Sequence, residues 1–385
     1  MMKILASTIA ATLLLGAAAC AAEEPNGTPP AGTPPAARVE TRDWPSFRGN
    51  PEMTGEAARA LPAALKLLWT FEAGSGVEST AAIAGGSVYV GTGKGEMLAL
   101  NLADGELKWR YDAGASVAAS PCVAGDLVYF GDGRGVFHAV SAAAGKLAWK
   151  FDAGTKIISS ATPADGVVLF GSYNNQLYCL DALTGKLKWS FEAEAQVHCS
   201  PCVADGLVMI AGCDGKVRMI DLETGEEKAH AKTESNFAAS PAFADGTVYV
   251  GSLSGECMAI RCADGSEIWK MKEEADGASC FAGAAVAGDR VIFGSRSNRL
   301  FCVDRATGKE LWHFRAKSKI DSSPVVAGEV VYVGASDGYV YGLSLKDGAR
   351  VWQFAAGGEV MASPAIGRRR LVIGNSDGAV YCFGR

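Results

Sequence analysis

The sequence predicts an all-β protein, an eight-bladed β-propeller of four-stranded antiparallel blades, and three periodic observations carry that prediction. Trp69, Trp109, Trp149, Trp189, Trp269, Trp312 and Trp352 recur at 40-residue spacing, broken by one skipped beat, where Ala229 stands, and one 43-residue step. In phase with them run Gly91, Gly131, Gly171, Gly251, Gly294, Gly334 and Gly374, with Ala211 in the fourth place. A third marker, the last position of a turn, reads Gly95, Gly135, Asn175, Gly215, Gly255, Asn298, Gly338 and Gly378. Only the two residue types that most readily accept positive φ occur there, which is a backbone requirement and needs no binding role. A period near 40 in strand-rich sequence is one blade per repeat.

Residues 157–189 show how one copy is built. Ile157 to Ser160 is expected to open an inner strand, and Ala164-Asp165-Gly166 to turn it. Val167 to Gly171 forms the second strand, Ser172 to Asn175 the next turn, and Leu177 to Asp181 the third strand. After Leu183-Thr184-Gly185 comes the outer strand, Lys186 to Phe191, bearing Trp189. Short strands of β-branched and aromatic residues between Gly, Asn and Asp turns are antiparallel hairpins. The eighth repeat runs out at Tyr381-Cys382-Phe383, after its third strand, and an outer strand without a blade, Lys66 to Phe71, stands before the first repeat. Pairing the two latches the ring and leaves no open edge.

Ahead of the propeller (residues 65–385) the chain reads as three parts. Residues 1–19 have the build of a signal peptide: Lys3, an apolar run from Ile4 to Gly16, and Ala17-Ala18-Ala19 as a small-residue cleavage site. Cys20 follows directly, as in a bacterial lipobox, although Ala17 stands where that motif prefers Leu; Cys20 is the expected lipidation site. Residues 20–42 include Pro29-Pro30 and Pro34-Pro35 among Ala, Gly and Thr, a composition that cannot build a core and reads as a tether. Residues 43–64 form a short segment before the first strand. The expected location is therefore outside the cytoplasm, in the periplasm, with a lipid anchor in the outer membrane.

With 36 Lys+Arg against 42 Asp+Glu the chain is mildly acidic, which argues against a nucleic-acid partner. The basic run Arg368-Arg369-Arg370 falls in a tight turn and reads as solvated.

The unit Ser-Pro-x-x-x-x-Gly-x-Val-Tyr-Val-Gly, then Asp-Gly-x-Val-Tyr-x-Leu, then Thr-Gly-x-x-x-Trp, is clearest at Ser323 to Gly338 and at Leu180 to Trp189. It resembles the pyrroloquinoline-quinone-like β-propeller repeat over about residues 65–385. Asp43-Trp44-Pro45-Ser46-Phe47-Arg48-Gly49 also looks like the segment that precedes the propeller in exported members of that family. The resemblance implies two branches. One comprises quinone-dependent dehydrogenases, with long insertions, a Ca²⁺ and quinone site and adjacent cysteines. The other resembles the B-subunit lipoprotein of the outer-membrane barrel-assembly machinery, a non-catalytic scaffold. This chain has no Cys-Cys pair and nearly insertion-free repeats, so no cofactor or metal is expected and the scaffold branch is preferred. The expected partners are proteins of the envelope, the barrel-assembly machinery being the most concrete. The alternatives are a quinone-dependent oxidoreductase and a carbohydrate- or peptide-binding propeller.

The remaining cysteines read as small apolar fillers. Cys179, Cys302 and Cys382 share a repeat position with Ala99, Ala139 and Ala259, and Cys122 and Cys202 share one with Ala242. Cys199-Ser200-Pro201-Cys202 has redox spacing but opens a strand rather than a helix, and Cys257 with Cys262 is the nearest candidate for a disulfide. The four histidines show no zinc-type spacing. No catalytic residue is expected.

A fold needs repetition, whereas binding needs particular residues at particular blades. The copies diverge on the face that carries the turns between second and third strands and the connections between blades. The candidate partner-binding residues there are Glu78, Arg134, Tyr173, His198, Asn236, Arg296, Asp321 and Glu359. Three of them, Glu78, His198 and Asp321, sit at the second residue of an inner strand, beside Ala118, Ile158, Ala238, Ser279 and Met361 in the other copies. They belong to the first, fourth and seventh blades, so independent solvated or hydrogen-bonded side chains are expected rather than a shared metal. The one insertion, Lys270 to Ala282, reads as a solvated acidic loop.

Overall fold

Each 40-residue copy folds in the computed structural model, which describes residues 43–62 and 64–385, into one antiparallel sheet of four strands. Eight such sheets follow one another around a ring, and no helix occurs among the described residues. The first seven span Ala82–Asp112, Cys122–Asp152, Thr162–Glu192, Cys202–Lys232, Ala242–Lys272, Ala285–Arg315 and Val325–Ala355. The eighth takes three strands from Ala365–Gly384 and its outer strand from Lys66–Glu72, with Thr70 opposite Tyr381 and Glu72 opposite Ala379. Closure by the N-terminal strand is as the sequence predicts. The signal segment, Cys20 and the Pro-rich stretch lie outside the described residues.

The inner strands are shorter than expected. In the third blade only Thr162–Ala164 is strand; Ile157 to Ser160 form an irregular lead-in. Their polar groups are used sideways: Ile157 N–H donates to Asp132 O of the preceding blade (3.0 Å), Ser160 N–H to Ser200 Oγ of the next (3.0 Å), and Ser159 Oγ accepts Gly171 N–H (2.9 Å).

Repeated, the Ser160 contact becomes a ring around the axis. Thr80 N–H donates to Ser120 Oγ, Ser120 to Ser160, Ser160 to Ser200 and Ser200 to Ser240, at 2.9–3.1 Å. After the sixth blade the ring resumes, Gly283 to Ser323, Ser323 to Ser363 and Ser363 back to Thr80 Oγ1. The link from Ser240 is missing because Gly283 offers no hydroxyl.

Both sequence markers turn out to be inter-blade contacts. Six of the seven marker indoles donate to a carbonyl in the next blade, among them Trp69 to Leu102 O (3.0 Å), Trp109 to Ala142 O (2.9 Å) and Trp312 to Leu345 O (2.9 Å). The glycine of that next turn lies flat on the ring, and a Cβ on Gly105 would stand 2.7 Å from the Trp69 indole. Where Ala229 replaces Trp, Gly265 instead covers the His230 backbone.

The glycine marker permits the lead-in of the following blade to pack. Across the strand from each glycine stands an apolar residue that shares a core cluster with that lead-in. The pairs are Met97 with Val117, Phe137 with Ile157, Leu177 with Val197, Val217 with Phe237, Leu300 with Ile320, Val340 with Val360 and Val380 with Val77. A Cβ at Gly131 would approach Ile157 Cγ2 to 2.2 Å and Cβ to 2.5 Å. Gly131→Ala is therefore expected to cost about 2–3 kcal/mol by overpacking alone. In urea denaturation, Gly131→Ala/Ile157→Ala should lose less than the sum of its single variants; strict additivity would sink the packing account.

Residues 43–57 lie inside the ring and bond to the inner strands of six blades. Trp44 exchanges both backbone bonds with Ile83 (2.9 and 2.7 Å), and Val123 N–H reaches Pro45 O (2.7 Å). Val203 donates to Pro51 O, Phe243 to Glu52 O, Val286 to Thr54 O and Val326 to Gly55 O, at 2.7–2.8 Å. The third blade has Pro163 at the equivalent position and no N–H to give. Arg48, 1% exposed, anchors this plug: Nη1 donates to Pro324 O (2.6 Å) and Nη2 to Ala284 O (2.7 Å), beside the side-chain-free Gly283. Asp43 fastens its start to the turns of one face, accepting from Gly85 N–H (3.1 Å) and pairing with Arg368. Arg368 is thus held within the chain and is not the freely solvated turn residue expected.

Candidate functional site

The plug lies at the level of the inner strands, near the turns typified by Gly85-Gly86. Toward the other face, the axis is lined first by the hydroxyl ring and then by the second lead-in residue of each blade. That open face carries the turns between second and third strands, where the eight candidate residues were placed.

Backbone register corrects one member of the lining set. Cys280 N–H donates to Ser252 O as Phe237 does to Gly212 O and Ile320 to Ser295 O. Phe281, and not Ser279, is therefore the sixth blade's residue, because the extra residues of the insertion fall before Cys280. The mouth is lined by Glu78, Ala118, Ile158, His198, Ala238, Phe281, Asp321 and Met361.

Two of its three polar residues are hydrogen-bonded, each to a residue of the preceding blade. Asp321 receives a two-pronged contact from Arg296, Nε to Oδ1 at 2.7 Å and Nη2 to Oδ2 at 3.1 Å, with Lys319 Nζ 3.6 Å away. The Arg296 guanidinium lies 3.5 Å from the centre of the Phe281 ring, so it is sandwiched between a carboxylate and an aromatic face. His198 Nδ1 and Tyr173 Oη are 2.7 Å apart, and Lys156 Nζ stands 4.3 Å over the Tyr173 ring. Burial first, then the Lys156 charge, holds the His198 imidazole below its ordinary pKa, and burial raises that of Tyr173. A neutral imidazole can accept the tyrosine proton donor.

Both pairs join the second-to-third-strand turn of one blade to the lead-in of the next, Tyr173 to His198 and Arg296 to Asp321. Glu78, Arg134, Asn236 and Glu359 are exposed and lie at other blades. The structure thus groups four of the eight candidates into two clamps and leaves four as separate surface residues. The Asp321 side chain is only 10% exposed, but Arg296 at 37% keeps the bridge in reach of solvent, so it contributes about 1 kcal/mol. Asp321→Ala should therefore leave the thermal midpoint nearly unchanged while freeing Arg296; a midpoint lowered as far as that of a core variant would show the clamp to be structural.

The insertion also departs from expectation. Lys270 to Lys272 complete an outer strand, and Glu273 is buried, with Oε1 bonded to Ser297 Oγ and 3.4 Å from Arg299 Nη1. Its tip, including Glu274, Asp276 and Gly277, is exposed, as are Lys270 and Lys272 on the strand before it. Cys257 and Cys262 cannot join, because they lie five positions apart along one extended run.

A Ca²⁺ ion takes six to eight oxygen ligands. At the mouth, Asp321 is engaged by Arg296 and Lys319, five of the eight lining side chains are apolar, and among the described residues no three His, Cys, Asp or Glu side chains converge as a metal-binding group. The residues present do not fit a calcium–quinone site.

Two surfaces were not anticipated. Grooves of about 400 and 480 Å³ open on the plugged face, the first lined by Lys188, Trp189, Asp221 and Glu223, the second by Tyr249, Asp289 and Arg305. On the rim, Leu67, Leu107, Leu147 and Leu187 are 42–50% exposed on four consecutive blades, where the other four have Glu227, Glu267, Glu310 and Arg350. The signal was readable two residues before each tryptophan marker, but as composition it resembled ordinary strand sequence.

A family model described as outer membrane protein assembly factor BamB matches residues 56–164, 133–279 and 262–383. No curated protein sequence matches the chain. Among solved structures, BamB from Moraxella catarrhalis is 19% identical with a TM-score of 0.72, over 84% of this chain and 98% of that one. The quinohemoprotein alcohol dehydrogenase from Comamonas testosteroni is 16% identical with a TM-score of 0.79, over 90% of this chain and 81% of that one. A computationally designed protein, Ika8, is 19% identical with a TM-score of 0.73, over 83% of this chain and all of that one. At these identities the likenesses are likenesses of fold.

Proposed function

From the premise that the chain belongs to the family of the outer membrane protein assembly factor BamB, we propose that it is a non-catalytic scaffold of the cell envelope, exported and lipid-anchored through Cys20. Its partner is a protein, engaged on the open face, and its role is in assembling outer-membrane proteins. The observation that carries this reading is the asymmetry of the disc. One end of the axis is filled by residues 43–57, held by uniform backbone bonds. The opposite end presents side chains that differ from blade to blade, two pairs of them fixed across blade junctions by Tyr173–His198 and Arg296–Asp321. Side chains held in place before binding lose less entropy when a partner arrives. A quinone-dependent oxidoreductase draws no support from a mouth whose carboxylate is already paired with arginine and lysine.

The test is a crosslinking pull-down from native membranes with the wild-type chain, Cys20→Ala, and Arg296→Glu/Asp321→Arg. Recovery of barrel-assembly components by the wild type, reduced in both variants, supports the full reading. An unrelated envelope complex would keep the scaffold and remove the assembly role. Unchanged recovery with Arg296→Glu/Asp321→Arg but loss with Leu147→Glu/Leu187→Glu would move the contact to the rim. A redox-active quinone copurifying with the wild type would overturn the proposal.

A further inference from the structure

At one blade junction the apolar pair that fills the other seven is replaced on both sides by cysteine. Cys257 stands across the strand from Gly251, and Cys280 is the lead-in residue packed on that glycine. Both thiols are fully buried in one cluster, and their sulfurs are 3.8 Å apart. At the equivalent positions elsewhere neither member of a pair is cysteine. If cysteine were only a small filler, nothing would place it on both sides of the same contact. The junction is also the one that carries the insertion, where the stretch between outer strand and lead-in is longest.

We propose that Cys257 and Cys280 are a disulfide site, which covalently ties the third strand of the fifth blade to the lead-in of the sixth. A disulfide brings sulfurs to about 2.05 Å, an approach of under 2 Å that side-chain rotation and a small shift of the loop supply. The bond forms by thiol–disulfide exchange with an oxidised disulfide: a Cys thiolate attacks a sulfur of the oxidant and releases one thiolate, and the second Cys displaces the other. Two protein thiols are oxidised, one disulfide of the oxidant is reduced to two thiols, and the protein loses two hydrogens. Because the native pair is shielded from solvent, exchange takes place during folding. Whether it takes place in the cell rests on the export proposed above, since oxidising compartments preserve such bonds.

The experiment refolds the reduced full-length chain in a glutathione redox buffer, blocks free thiols by alkylation in denaturant, and maps tryptic peptides. Residues 233–261 and 273–290 each form one peptide with a single cysteine, so a linked pair identifies this bond and no other. The expected result is the linked peptide, about 2 Da lighter than the sum of its reduced halves, with a thermal midpoint that falls on reduction in the wild type but not in Cys257→Ser. Recovery of both peptides alkylated from protein that has regained its strand spectrum overturns the proposal. The same map on protein taken from membranes separates the two readings. A bond formed in vitro but absent there supports the site and counts against export.

Discussion

Raising the pH from 8 to 10 is expected to bring the propeller to the edge of unfolding, through its buried thiols. Burial pushes Cys179, Cys199, Cys262, Cys302 and Cys382 up to about 12, and raises Cys122 and Cys202 further, against an ordinary value of 9.0. The folded pKa lies above the unfolded one, so between the two the native state keeps protons that the unfolded chain has released. Stability is then fully present below pH 9 and falls as pH rises toward 12. One pH unit above the unfolded value, each thiol removes about 1.4 kcal/mol. Arg48 acts in the opposite direction, because burial lowers its pKa to about 9 and alkaline pH relieves the buried charge. Six thiols' worth remain, about 8 kcal/mol, which is comparable with the whole stability of a typical domain. The repeat itself supplies the control. Ala occupies the same positions in other blades, so replacing Cys122, Cys179, Cys202, Cys302 and Cys382 by Ala keeps the packing type and removes five titrating groups. The variant's alkaline midpoint, followed by circular dichroism, should rise by about half a pH unit or more; an unchanged midpoint would refute the thiol account.

Arg48→Ala is expected to cost about 3 kcal/mol and to release the plug. Two carbonyls on neighbouring blades, Pro324 and Ala284, lose donors that are charged, and a cavity opens where the side chain lay. Part of that loss is offset, because the guanidinium is buried with no carboxylate recorded beside it, a costly arrangement in itself. Arg48→Lys discriminates between charge and shape. Lysine keeps the charge but cannot present two N–H groups to two carbonyls, so it should not restore stability. The readouts are the urea midpoint and chymotrypsin cutting after Phe47, which is half-buried in the native protein. A lysine variant with wild-type midpoint and protection would show that geometry is not what holds the segment.

The parts of the fold that repeat were legible because repetition samples one physical requirement eight times. Eight turns that admit only Gly or Asn state a positive φ without any coordinates, and at Asn175 and Asn298 φ is 68° and 69°. The N-terminal latch could be read for the same reason: a ring that lacks one strand at one end and has one to spare at the other can close in only one way. The functional face resisted because its contacts run between unlike positions. Tyr173 meets His198 across a junction, a pairing that needs the offset between one blade's turn and the next blade's lead-in. That offset is shifted by three residues at the insertion, so the sequence repeat points to Ser279 where the structure has Phe281. Arg48 was invisible for a different reason. A charged residue in a polar-looking segment gives no sign that it will be the most deeply buried cation of the described chain, since its partners are backbone carbonyls hundreds of residues away.

Blade number is the one property of such a ring that the blades themselves do not fix, because each sees only its two neighbours. The indole, marker-glycine and hydroxyl contacts each join one blade to the next and carry no count of their own. A ring of seven or nine would not fit the short chain at its centre. Fifteen residues must reach six inner strands at once through carbonyls of fixed separation, and a change of circumference would move those strands to another radius. The segment at the axis is therefore a gauge, and eight is the count at which it closes.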